Sequence, residues 1–159
     1  MEDNRGDILM YQTVDGKTAI EVMLSNDTVW LTIDKMAELF QRNKSTISRH
    51  IKNILECGEL TADSVVAFFA TTAADNKVYN VQYFNLDMII SVGYRVNSIR
   101  GVQFRMWATS VLREYLIKGF AMNDALLKNA GGGNYFDELL SRIRDIRSSE
   151  KVFYRKVLE

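Results

Sequence analysis

The chain has 159 residues, with 20 Lys or Arg balanced by 20 Asp or Glu, so it is one domain or one domain with a short appendage. Its single cysteine, Cys57, rules out an internal disulfide framework and a cysteine metal cluster, and its single histidine, His50, weighs against a His-based metal site or triad. No apolar run of 18 residues exists, and the acidic start Met1-Glu2-Asp3-Asn4-Arg5-Gly6-Asp7 lacks the apolar stretch of a signal peptide, so a cytoplasmic chain with no membrane contact is expected.

In chain order, residues 8–14 and 17–24 are apolar runs flanking Asp15-Gly16, a type I′ hairpin signal because both turn residues need positive φ. Val29-Trp30-Leu31 reads as a third strand. Thr32 is a good N-cap for a helix whose apolar face is Met36, Ala37, Leu39 and Phe40. Gln41-Arg42-Asn43-Lys44 interrupts it. A second helix follows from about Lys44 to Leu55, with Ile47, Ile51, Ile54 and Leu55 forming one buried stripe, and Gly58 stops it.

Residues 64–72 and 77–84 read as two strands joined by a turn at 73–76. A hairpin directly after a helix-turn-helix pattern predicts a wing. Asn85 caps a helix to about Tyr94, and Ser98 opens a longer one ending at Gly119. Val102, Trp107, Val111, Leu112, Tyr115 and Leu116 are its expected core. Gly131-Gly132-Gly133 lacks the Gly-Lys-Ser/Thr of a phosphate loop and reads as a linker. Phe136, Leu139, Leu140, Ile143, Ile146, Phe153 and Val157 are then spaced for a helical seam of about three heptads.

The predicted class is α+β: an N-terminal β-hairpin, a winged helix-turn-helix, a helical region and a C-terminal helix. The expected domains are 1–120, a DNA-binding-like domain; 121–134, a Gly-containing linker; and 135–159, a pairing helix. Glu159 carries no capping signal, so this helix is expected to continue into a further C-terminal region.

Net neutrality conceals segregation. From Arg42 to Lys52 there are four cations and no acid. Lys44, Ser45, Ser48, Arg49 and Lys52 lie opposite the Ile47/Ile51/Leu55 stripe, which is the arrangement of a recognition helix. Arg binds guanine bidentately, whereas Lys and Ser suit phosphates. Ser45, Ser48 and Arg49 are the candidates for base edges. Arg42, Lys44, Lys52, Arg95 and Arg100 are the candidates for phosphates.

A second acid-free window, Met88–Arg113, holds Arg95, Arg100, Arg105 and Arg113 among Tyr94, Phe104 and Trp107. It suits a phosphate backbone or a single strand. Equally, Phe104 and Trp107 can be core residues, with the arginines paired to acids elsewhere. His50 reads as a packing or phosphate-edge residue, and Cys57 as an inert thiol with no basic cluster to activate it.

The segment 32–51, TIDKMAELFQRNKSTISRHI, resembles without gaps the helix-turn-helix of lac-repressor-type regulators. Ala37 falls on that family's small residue, and Thr46-Ile47-Ser48-Arg49 is similar to its Thr-Val-Ser-Arg. Gln41 falls where the family carries Gly. It must therefore accept a left-handed conformation, at a cost of about 1 kcal/mol, or the turn differs.

Nearly the whole chain resembles the virulence-associated RhuM family of bacteria. The matching text includes Thr28-Val29-Trp30-Leu31, Met36-Ala37-Glu38-Leu39-Phe40, Ser45 to Ile51 and Gly58-Glu59-Leu60. It continues with Tyr83 and Asn85 to Ser98, Phe104-Arg105, Trp107-Ala108-Thr109, and Phe136-Asp137-Glu138-Leu139-Leu140. Residues 104–112 are also similar to a segment of phage Bro-N antirepressor domains. The Fic signature His-Pro-Phe is absent, since the chain has no proline.

These resemblances imply a sequence-specific DNA-binding module of a bacterial regulator of virulence or mobile-element origin. The expected partners are double-stranded DNA and a second copy in a homodimer, with half-sites about 34–36 Å apart or a multiple of that. The alternative is a protein-interaction module, antirepressor-like or a toxin partner, on the same scaffold. No catalytic group and no cofactor is expected.

Overall fold

The computed structural model describes residues 5–8, 20–25, 28–129 and 134–158. Its class is α+β. Strands β1 (Arg5–Ile8), β2 (Ile20–Ser25) and β3 (Thr28–Leu31) are followed by helices α1 (Ile33–Phe40), α2 (Lys44–Glu56) and α3 (Ala62–Val65). Then come β4 (Val66–Thr72), β5 (Val78–Asn85), α4 (Leu86–Arg95), α5 (Ile99–Lys118), α6 (Asp124–Asn129) and α7 (Asn134–Val157). Among the described residues the strands form one antiparallel sheet in the order β1-β2-β3-β5-β4.

The starts of α1, α2 and α4 are each explained by a short polar side chain. Thr32 Oγ1 accepts from the Lys35 amide at 3.2 Å, and Asn43 Oδ1 accepts from the Thr46 amide at 3.2 Å. Asn85 Oδ1 likewise accepts from the Met88 amide at 3.2 Å. These bonds satisfy N–H groups that have no intrahelical partner. Between α1 and α2, Gln41 adopts φ 49° and ψ 52°. The turn therefore keeps its left-handed residue although the side chain is not glycine.

Met36, Leu39 and Phe40 of α1, Ile47, Ile51 and Ile54 of α2, and Met88, Ile89 and Val92 of α4 share one core with Leu31 and Phe84 of the sheet. The helical spacing puts each set on one stripe, and burying these stripes against each other supplies the main driving force for the fold. Trp30, Phe69 and Tyr83 pack edge to face, with ring centroids 5.8 and 5.3 Å apart, and bind the wing strands to β3.

The wing is present. β4 and β5 pair from Val66 opposite Phe84 to Thr72 opposite Val78. Its tip closes through the Ala73 amide on the Lys77 carbonyl at 2.9 Å, with Asn76 left-handed at φ 61°. The strand expected from residue 64 starts at Val66, because Ala62–Val65 forms the short α3.

Two expectations change. The Asp15-Gly16 turn lies outside the described residues, but β1 and β2 pair Ile8 with Ile20. A two-residue turn at 15–16 continued by a regular ladder would pair Ile8 with Met23, so a different register is adopted. Also, the residues expected as the core of the long helix are exposed: Val102, Trp107, Val111, Leu112, Tyr115 and Leu116 all face outward. Only Gly101 and Phe104 of α5 are buried among the described residues. The helix meets the core through its first turns, where Phe104 packs edge to face on Phe40 and Tyr94.

The chain divides into two compact units, Met1–Arg113 and Glu114–Glu159. The second holds the end of α5, then α6 and α7. The stretch expected as a linker contains α6, capped by Asn123 Oδ1 accepting from the Leu126 amide at 3.0 Å. Gly131-Gly132-Gly133 lies outside the described residues.

Candidate nucleic-acid interface

α2 presents two faces. Ile47, Ile51 and Ile54 are buried, while Ser45, Ser48, Arg49 and Lys52 are exposed. The four exposed positions are spaced by three and four residues, so they form one continuous strip. Arg42 is exposed at the start of the strip, in the turn before α2. The sequence-level reading of this surface therefore matches the observed exposure.

The strip is not uniformly available. Lys44 is ion-paired to Asp34 on α1. Lys52 Nζ lies 3.6 Å from Glu56 Oε1 one turn on. Both pairs are solvent-exposed, and such pairs are worth about 1 kcal/mol or less, so a phosphate can displace the carboxylate. Arg42 and Arg49 have no carboxylate partner among the described residues. Ser45 Oγ donates to Asn43 Oδ1 at 3.3 Å, which leaves its lone pairs as acceptors.

His50 sits half-buried beside the strip. Partial burial, then the charges of Arg49 and Arg95, hold its pKa below the ordinary value of 6.5.

The second basic window is largely used internally. Arg95, proposed as a phosphate contact, instead grips Glu59: its guanidinium pairs with Glu59 Oε2 and lies 3.3 Å from Oε1. The same group donates to the Ser91 carbonyl at 3.1 Å, and Ser91 Oγ donates to Glu59 Oε1 at 2.8 Å. This network holds the Glu59 carboxyl below its usual range. Arg105 donates to the carbonyls of Gly93 and Val96 at 3.2 and 2.9 Å, closing the end of α4. Arg100 is half-buried in the first turn of α5, and Phe104 is core. The window Met88–Arg113 thus builds the α4–α5 corner, with Arg95 engaged by Glu59.

The sequence assigns no ion-pair role to Glu59, Asp34 or Glu56. The four-residue spacing of Lys52 and Glu56 could have revealed one pair, but nothing local points from Glu59 to Arg95, 36 residues on. Cys57 Sγ donates to the Ile54 carbonyl at 3.3 Å.

Among the described residues no group of His, Cys, Asp or Glu is arranged to hold a metal ion, and no helix is long and apolar enough to cross a membrane.

A profile of the virulence protein RhuM family matches residues 64–159. The chain belongs to the virulence protein RhuM family. The matched stretch runs from the end of α3 through α7, narrower than the near-complete resemblance read from the sequence. In this RhuM-family chain α1 and α2 precede the matched region. No curated protein and no solved structure matches the chain.

Proposed function

We propose that this RhuM-family chain is a sequence-specific DNA-binding module of a bacterial transcriptional regulator, a binding module rather than an enzyme, acting as a homodimer. The observation that carries the reading is the strip on α2. Short polar side chains alternate there with cations, no acid lies between Arg42 and Lys52, and a hydrophobic stripe on the opposite face fixes the helix. In this reading α2 enters the major groove, Ser45, Ser48 and Arg49 face base edges, and Arg42, Lys44 and Lys52 neutralise phosphates. Arg95 supports the scaffold through Glu59.

The test is fluorescence anisotropy on random duplex DNA across a salt series. Affinity is expected to fall with salt on a log–log slope of about −0.9 per neutralised phosphate. No binding below roughly 100 µM protein at roughly 50 mM salt would overturn the reading.

A second reading has its own support. Met106 and Leu112 are exposed on α5, and exposed apolar side chains suit a protein partner. In that case the chain is an antirepressor-like or toxin-partner module, and DNA competitor leaves its binding unchanged.

A further inference from the structure

The stripe Ile47/Ile51/Ile54 decides which face of α2 is buried. Burial of apolar surface has no direction, so it leaves the angle of the helix loosely defined. Reading base edges needs side chains held within about 0.5 Å of their productive positions by locked supporting contacts. Such contacts lie just beyond the C-terminal end of α2. Gly58, left-handed at φ 76°, turns the chain there, and Glu59 follows it.

Glu59 ties this end of α2 to α4. Its Oε1 accepts from Ser91 Oγ at 2.8 Å and from Arg95 Nη1 at 3.3 Å, and its Oε2 pairs with Arg95 Nη2. Arg95 Nη1 also donates to the Ser91 carbonyl at 3.1 Å, so the guanidinium is itself held. Ser91 is 8% exposed and lies one turn before Arg95 on α4. A carboxylate gripped by a buried hydroxyl and a guanidinium fork has its angle set as well as its distance. The charge of Arg95 acts on His50, the neighbour of Arg49, so the grip lies beside the basic strip.

We propose that Glu59 is a positioning residue for the α2 strip. Through Ser91 and Arg95 it fixes the angle at which Ser45, Ser48 and Arg49 are presented, and so sets discrimination between DNA sequences rather than affinity for DNA. Its two effects have opposite signs. Glu59 is an acid beside cations, so removing its charge favours DNA of every sequence and releases Arg95 toward phosphate. Phosphate contacts carry no sequence information, whereas bidentate base contacts depend on alignment. A loss confined to a preferred site therefore comes from the angle and not from the charge.

This role rests on the DNA-binding reading above, and the two fail separately. The reading fails in the unaltered chain, the role in variants of a chain that binds.

The test is fluorescence anisotropy of the full chain on two duplexes at one salt concentration. One is selected by the unaltered chain from a random pool, and the other is a scrambled duplex of the same composition. The ratio of the two affinities is the readout. The Glu59 side chain is 40% exposed, so Glu59→Gln removes the charge and leaves the core intact. It is expected to lower the ratio at least about tenfold, the scale of one aligned base contact, while affinity for the scrambled duplex stays equal or rises. Ser91→Ala alters no charge. It is expected to lower the ratio in the same direction and leave the scrambled duplex unchanged. Both variants are expected to keep a thermal transition above the assay temperature. An unchanged ratio in Glu59→Gln overturns the proposal. So does an equal rise on both duplexes, which makes Glu59 only a repelling charge, or an equal fall on both, which makes it only a support of the fold. An unaltered chain that binds no duplex removes this role together with the reading it rests on.

Discussion

Ser98 Oγ donates to the main-chain carbonyl of Phe40 at 2.7 Å, joining residues 58 positions apart. The same oxygen accepts from the Gly101 amide at 2.9 Å, so it caps α5 as well. One hydroxyl thus holds the last carbonyl of α1 against the first turn of α5, immediately before the turn that aims α2. Ser98→Ala removes a cap and leaves the Phe40 carbonyl without this donor. The expected loss is about 1–3 kcal/mol in urea unfolding. An unchanged midpoint would show that the turn is held by packing alone.

Gln41 sits in the left-handed region at φ 49°. A side chain with a Cβ is strained there, whereas glycine is not. Its side chain is exposed, so little packing is lost on removal. Gln41→Gly is expected to raise stability by about 0.5–1 kcal/mol, read as a higher urea midpoint at constant slope. A drop in stability would mean that the Gln side chain contributes more than its conformation costs.

Gly93 of α4 faces Phe104 of α5, and Gly101 of α5 faces Val96, just past the end of α4. A Cβ on Gly93 would lie 2.5 Å from Cε1 of Phe104, and one on Gly101 would lie 2.5 Å from the Val96 carbonyl oxygen. Both alanine substitutions are therefore expected to destabilise, by about 1–3 kcal/mol or more. Gly101→Ala should be the worse, since a ring can turn aside and a backbone carbonyl cannot. Thermal melts of the two variants rank them directly, and the reverse order would indicate that the α4–α5 corner shifts as a body.

What could be read in the sequence follows from locality. Thr32, Asn85 and Ser98 announce their helices because a cap acts within three residues. The Ile47/Ile51/Ile54 stripe is visible because helical spacing alone defines it, and the opposite strip of α2 follows. Which acid Arg95 pairs with was not legible, because Glu59 is brought to it only by the packing of α4 on α2. The long helix was misjudged for a related reason. Val102, Val111, Leu112, Tyr115 and Leu116 are apolar enough for a core, yet they are exposed. Residue type alone does not say where a helix leaves its core.

On α2 the two kinds of cation separate by experiment. Arg49 lies mid-strip with no carboxylate partner among the described residues, and Arg49→Ala is expected to cost about 1–3 kcal/mol and relax preference at one base pair. Lys52 is already paired with Glu56, so Lys52→Ala should weaken all sequences alike and lower the salt slope by about one. Anisotropy on a selected site and on randomised variants distinguishes them. Arg49→Ala with unchanged affinity and specificity would remove its base-reading role.

Acid stability should fall in two steps. The folded chain holds the His50 pKa below the ordinary 6.5, first through burial, then through the charges of Arg49 and Arg95. The unfolded chain therefore binds this proton more readily, and stability declines as pH drops below about 6.5. Glu59 also has a lowered pKa, through its hydrogen bonds to Arg95 and then Ser91. Its contribution is complete above the ordinary value of 4.5 and is lost as pH falls through the depressed folded value. Arg95→Gln removes one charge acting on His50 and the main partner of Glu59. It should move the His50 titration upward and flatten the lower step. Because His50 is the only histidine, its ring proton signal in NMR reads the first shift without overlap, and urea midpoints between about pH 3 and 8 cover both titration ranges. An unmoved His50 titration in Arg95→Gln would show that burial and Arg49 alone set it.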